Sequence, residues 1–173
     1  MNAVAIFHRD HADYLAEVAA AWGGQPCSTL IGSSGSAPVK LPAASAVLGN
    51  GAAIHQFDFD DTHDQAVMHP SSASLMPALA VAESLGGVNG KSIITAVALA
   101  NDLSSRVGLA ASGRMWDHPW FRAPVIGIFG ATAAAAKIMG ASARQHVHAL
   151  GLTLPQVGGT WASLHHKGSS VRS

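Results

Sequence analysis

The sequence predicts an all-α fold, a compact array of helices joined by short loops. Three observations carry that expectation. Ala-rich segments place apolar residues at helical spacing along most of the chain. Glycine and proline fall where such segments would stop and start, at Gly23-Gly24, Pro42, Gly86-Gly87 and Gly140. No β–α alternation and no internal repeat interrupts the pattern, and no heptad persists as in a coiled coil.

Each element follows from its own residues. Ile6, Tyr14, Leu15, Val18 and Trp22 keep a helical period from Val4 to Trp22, which Gly23-Gly24 ends. Residues 25–41 hold Pro26, Gly32, Gly35, Pro38 and several serines, so they read as a loop with a short strand at Ser28–Ile31. Pro42 suits a first helical turn, and Ala43 to about Phe59 reads helical. His69-Pro70-Ser71 opens a helix that runs to Leu85. After the Asn89-Gly90 turn, a long helix covers Lys91 to Ala110. Ala111 to Ala123 is irregular, Pro124 to Met139 is a small-residue helix, and Ser142 caps a helix from Ala143 to Leu150. Pro155 to His166 is expected to be helical, before an open end at 168–173. The 173 residues make one domain.

Composition narrows the function. Apolar residues make up 49% and charged residues 12%, a balance that favours a packed core over disorder. So few charges for this size also predict that part of the surface is covered by another copy or another domain. Lys+Arg and Asp+Glu are 10 each, which argues against a nucleic-acid binder and a polybasic membrane anchor. The start carries early charges and no signal-like apolar core, and the longest apolar runs are broken well short of a membrane span. The chain is expected to be soluble and cytoplasmic. Cys27 stands alone, so neither a disulfide framework nor a cysteine-held zinc or iron–sulfur site is expected.

Residues 50–71 concentrate the chemistry. Asp58, Asp60, Asp61 and Asp64 stand among His55, His63 and His69, beside the apolar Ile54, Phe57 and Phe59. In a helix, His55, Asp58 and Thr62 would share one face, with Asp61 on another. A carboxylate buried beside a histidine is poised for proton transfer. His69 precedes a helix start, where the N–H groups of Ser71 and Ser72 and the helix dipole favour an anion. Three readings stay open on spacing alone. Asp60, Asp61 and Thr62 brace helix ends; or the cluster transfers protons; or His55, Asp58, His63 and His69 hold a metal, without any recognised ligand spacing. A second cluster, Arg114 to Arg122 with Trp116, His118 and Trp120, reads either as a pinned surface loop or as the wall of a pocket for an acidic substrate. A third, His165-His166-Lys167 with Arg172, reads as solvated basic residues. No nucleophile elbow, P-loop or dinucleotide fingerprint is present.

The run Asn50-Gly51-x-x-x-His55-x-x-Asp58-Phe59-Asp60-Asp61-Thr62-His63, followed by His69-Pro70-Ser71, resembles the MmgE/PrpD family. That family includes 2-methylcitrate dehydratase, cis-aconitate decarboxylase and iminodisuccinate epimerase. Pro77-Ala-Leu-Ala80-x-Ala82-Glu83 with Gly90-Lys-Ser-Ile-Ile-Thr-Ala, and Gly127-x-Phe129-Gly130 through Gly140, extend the resemblance to about 22–173. It implies part of the family's helical domain, without the α+β lid and its lysine, and so a site that this chain alone does not complete. By the same resemblance Asp58, Thr62, His69 and His118 match catalytic positions, while Ser71 and Arg172 would bind substrate. It implies a cofactor-independent carbon–oxygen or carbon–carbon lyase, acting on a small polycarboxylate such as 2-methylcitrate or cis-aconitate, in a homodimer. No metal and no cofactor are expected. The competing expectation is a non-catalytic helical dimerisation or interaction module derived from that family. The resemblance further predicts that Asp58, Thr62 and His69 converge, and that apolar surface is exposed where the missing parts would pack.

Overall fold

A computed structural model describes residues 17–32, 38–55, 58–115 and 118–162, apart from the side chains at 112, 114 and 115. Residues 17–21 are helical. Five further α-helices follow: α1 Ala43–His55, α2 Pro70–Leu85, α3 Gly90–Met115, α4 Arg122–Ile138 and α5 Ala143–Thr153, with a 3-10 turn at Leu154–Gln156. The mostly helical class expected from the sequence is what is observed. A minimal antiparallel sheet pairs β1 Ser28–Thr29 with β2 Lys40–Leu41. The sequence pointed to the first strand and left the second inside a loop.

Small residues set the packing. α4 lies against both α2 and α3, α1 packs on α2, and α5 packs on α4. The central cluster is Ala78, Ala82, Ala96, Ala100, Ala134 and Ile138. Close approach is enforced by glycine: a Cβ at Gly130 would sit 3.2 Å from that of Ser104, and one at Gly127 would sit 3.1 Å from that of Ala73. Both approaches are tighter than side chains ordinarily make, so the helix spacing depends on the missing Cβ.

The hairpin is stitched to the helices by side chains. Buried Asn50 of α1 accepts from the Ile31 N–H at 2.9 Å and donates to the Thr29 carbonyl at 2.9 Å, so its amide acts as a substitute strand partner. Ser28 Oγ donates to the Ala80 carbonyl at 2.7 Å. Glu83, at the end of α2, accepts from the Thr29 N–H and hydroxyl and pairs with Lys40. Burial pushes the Glu83 carboxyl up, but the Thr29 bonds and the Lys40 charge outweigh it and hold the group below its ordinary value.

Several boundaries differ from expectation. α1 stops at His55 and does not reach Phe59. Three aspartates just beyond a helix C-terminus oppose its dipole, and aspartate is a weak helix former. The Asp58 N–H instead closes a turn on the His55 carbonyl at 3.1 Å, with Asp58 at φ 51°. α3 continues five residues past the expected end. Its stretch Gly90–Ala111 is long and apolar enough, by length and composition, to cross a membrane, although Asn101, Asp102, Ser104, Ser105 and Arg106 break the apolar run within it. The segment 155–162 is not an α-helix. After the 3-10 turn, Thr160 pairs with Trp120 in an isolated bridge. α2 starts at Pro70 and α5 at the Ser142 capping box, as expected. The expected helix over Val4–Trp22 lies outside the described residues before position 17, as does the basic terminal cluster with Arg172.

Candidate functional site

Residues 58–69 form an irregular connection that returns the chain from the end of α1 to the start of α2. Its second half is a tight turn. The His63 N–H donates to the Met68 carbonyl at 2.9 Å, and the Val67 N–H donates to the His63 carbonyl at 2.8 Å. Val67 has φ 52°, a costly conformation for a β-branched residue. The turn is anchored from inside, because Ala66 and Met68 pack with Ile126 and Val107. His63 is consumed here: its Nδ1 accepts from the Ala66 N–H at 3.2 Å, which removes it from the metal set read from the sequence.

The first half carries the polar cluster. The side chains of His55 and Asp60 are each 2% exposed. His55 Nδ1 donates to Asp60 Oδ2 at 3.1 Å. Asp60 Oδ1 lies 3.6 Å from His69 Nδ1. On the other side of His55, Nε2 faces Asp58 Oδ1 at 3.4 Å, an ion-pair distance without hydrogen-bond alignment. The His55 and His69 rings meet edge to face with centroids 4.9 Å apart. Burial raises the Asp60 carboxyl, but the bond from His55 and the charges of His55 and His69 overcome it and hold the group below its ordinary value. A buried carboxylate is tolerated only with such partners.

His69 is held through one ring nitrogen. Its Nδ1 lies 3.1 Å from the Asp61 carbonyl and 3.5 Å from Thr62 Oγ1. A carbonyl and a carboxylate can only accept, so the network assigns the proton to Nδ1 and leaves Nε2 to exchange protons. The His69 ring lines a cavity of about 380 Å³ between α1, α2 and α4. Ser72 is the other polar lining residue, and Val47, Leu48, Met76, Pro77 and Ile128 make much of the wall. Among the described residues, no lysine or arginine lines it.

Asp58 and His69 therefore come together, but not through a shared helical face. Asp58, with its side chain 63% exposed, and exposed Thr62 both sit in the connection. Asp61 takes the anion seat at the start of α2: its Oδ1 accepts from the Ser71 N–H at 3.1 Å and its Oδ2 from Ser71 Oγ at 2.8 Å. Ser71 Oγ also accepts from Asn101 Nδ2 at 3.0 Å. The helix terminus expected to receive substrate is thus closed by the chain's own carboxylate. His118 is exposed in the connection between α3 and α4. Arg122, read as part of a pocket wall, is buried in the first turn of α4, while Trp120 is exposed. The sequence reading gave the buried position of Asp60 no role beyond bracing. The signal was present as Phe59-Asp60 five residues after a buried-side histidine, but burial of one aspartate among four is not visible in spacing.

His55, Asp58, Asp60 and His69 each offer one ligand atom, all within 4.8 Å of one another. The donor set would accept a divalent cation. A cation here would compete with the His55–Asp60 bond and the His69–Asp61 bond, which already satisfy three of those groups.

Residues 2–173 match the family model for the MmgE/PrpD N-terminal domain. The chain is 34% identical over 138 residues to cis-aconitate decarboxylase of Homo sapiens, covering 75% of this chain and 27% of that protein. It is 32% identical over 130 residues to the cis-aconitate decarboxylase-like protein oryM of Aspergillus oryzae, covering 70% of this chain and 27% of that one. The mouse cis-aconitate decarboxylase is 34% identical over 128 residues, covering 69% and 25%. The chain spans about a quarter of the length of these relatives.

Proposed function

The chain belongs to the MmgE/PrpD family, and from that premise we propose that it is the helical part of a lyase for a small polycarboxylate, with cis-aconitate the first candidate. The observation that carries the reading is the meeting of His69 with Asp58, Asp60 and Thr62 beside a cavity large enough for such a molecule. His69 works at Nε2. In decarboxylation the carbon–carboxylate bond breaks, carbon dioxide leaves, and the electron pair stays on carbon. A protonated His69 then gives its Nε2 proton to that carbon. In dehydration of 2-methylcitrate the neutral ring takes the proton beside a carboxylate, and a second acid protonates the leaving hydroxyl as water. His118 is our candidate for that acid. Asp58 and Thr62 orient the substrate.

Among the described residues the cavity wall carries no lysine or arginine, so we propose that the fixed charges that hold the carboxylates come from outside them. Arg172 and the part of the relatives that this chain does not span are the sources we propose. The test measures carbon dioxide release from cis-aconitate and dehydration of 2-methylcitrate and citrate, alongside shifts of the His69 ring signals. We expect conversion or binding of one of the three that His69→Ala abolishes and His63→Ala keeps. Conversion indifferent to His69, or no response to any of the three, overturns the reading.

A second reading, a non-catalytic dimerisation module, is favoured by exposed Ile94 and Leu99 on α3 and by Val147, Leu152 and Leu154 on and after α5. Self-association without any substrate response is its signature.

A further inference from the structure

We propose that the buried His55–Asp60 pair is the positioning device that keeps His69 in the tautomer with Nδ1 protonated and Nε2 bare. The His55 Nδ1–H is shared by both Asp60 oxygens, 3.1 Å to Oδ2 and 3.3 Å to Oδ1, and the same Oδ1 faces His69 Nδ1 at 3.6 Å. Because the His55 ring holds both oxygens, the carboxylate cannot turn Oδ1 away from His69. Both side chains are almost wholly buried, so water does not substitute for either partner. The Asp61 carbonyl at 3.1 Å accepts from the same His69 nitrogen but belongs to the backbone and carries no charge. Asp60 and His55 touch His69 and not the cavity, which makes them positioning residues rather than catalytic ones. That this positioning serves proton transfer to substrate rests on the lyase reading above; the tautomer itself does not.

Asp60→Asn tests the geometry directly. The His55 Nδ1–H needs an acceptor, so the amide oxygen turns to His55 and the amide NH2 turns to His69 Nδ1. A donor there disfavours Nδ1–H and favours the opposite tautomer. Long-range proton–nitrogen correlation spectra of histidine-labelled chain read the ring states without any substrate. We expect mainly Nδ1–H at His69 in the native chain, mainly Nε2–H in Asp60→Asn, and a mixture in His55→Gln, where Asp60 loses its anchor. Where turnover is present, kcat falls about 10–100-fold in Asp60→Asn with KM nearly unchanged, the scale found for outer partners of functional histidines. A native spectrum with the proton on His69 Nε2 overturns the proposal. So does an unchanged His69 tautomer in both folded variants, because the Asp61 carbonyl would then suffice alone. If Asp60→Asn fails to fold, the native spectrum and His55→Gln still decide. Absence of turnover with the expected tautomer pattern overturns the lyase reading and supports the positioning.

Discussion

Asp61→Ala removes the carboxylate that closes the start of α2, and its cost can be worked from the contacts. Two bonds disappear, from the Ser71 N–H and from Ser71 Oγ, leaving an orphan donor at the first turn of a 16-residue helix. Losing a side-chain cap costs about 1 kcal/mol. Losing a negative charge at a solvent-exposed helix N-terminus adds about 0.5 kcal/mol at low salt. The sum, about 1.5 kcal/mol, lowers Tm by about 3–6 °C for a chain of this size. Asp61→Asn keeps one acceptor oxygen for Ser71 and loses the charge with the second acceptor, so it belongs between the two. Thermal unfolding followed by circular dichroism, at low and at high salt, separates the parts. Salt should shrink the gap between native and Asn chains and leave the gap between Asn and Ala. The reasoning fails if the Ala variant melts with the native chain, or if Asn and Ala melt together. Either result would mean that Asp61 does not seat itself on the helix in solution, and that terminus would again be open to a substrate anion.

Gly108 and Gly113 lie on the same helix but differ in surroundings. A Cβ at Gly108 would meet the Ala66 Cβ at 2.7 Å, whereas one at Gly113 meets nothing within 4 Å. Gly113→Ala should stabilise by up to about 1 kcal/mol through helix propensity. In Gly108→Ala the overpacking of ~1–3 kcal/mol exceeds that gain, and the turn at 63–68 shifts. Equal melting temperatures for the two variants would refute the close approach. The lowered carboxyls of Asp60 and Glu83 give a signed pH effect: a depressed native value contributes stability above the unfolded value near pH 4 and loses it as pH falls through the native value. Unfolding measured from pH 5 to pH 2 should show a smaller loss in Glu83→Gln than in the native chain, and parallel curves would contradict the assignment.

The helices were legible because their ends are written in local chemistry. Pro70 at a first turn, the Ser142–Gln145 box and Gly86 beyond α2 need no tertiary information. The end of α1 was not legible. Ala43 to Phe59 reads as one helical stretch, while the helix described ends at His55 and the Asp58 N–H closes a turn on the His55 carbonyl, from which Asp60 reaches the His55 ring. That decision depends on a contact between side chains, not on propensity. The same contact explains why Asp58 and His69 meet, as the resemblance implied, although Asp58 and Thr62 share no helical face: both sit in an irregular connection. The second strand was hidden for a similar reason, since two residues, Lys40 and Leu41, become a strand only when Asn50 and Glu83 hold their partner.

Asn50 has a consequence for chemical ageing. Asn50 and Asn89 both precede glycine, the pairing most prone to deamidation because the unhindered glycine nitrogen can attack the side-chain amide. Asn89 is exposed and uses only its oxygen, accepting from the Ser92 N–H at 2.9 Å, so conversion to aspartate leaves that cap an acceptor. At Asn50 the nitrogen is as necessary as the oxygen, and the site is buried in a helix that keeps the glycine nitrogen from attacking. Unfolding removes that protection. An aspartate formed there has no donor for the Thr29 carbonyl and brings a charge into the interior. Where hydrolysis gives aspartate, the folded chain therefore keeps its cap at Asn89, while time spent unfolded accumulates at Asn50 as a lesion that blocks the way back.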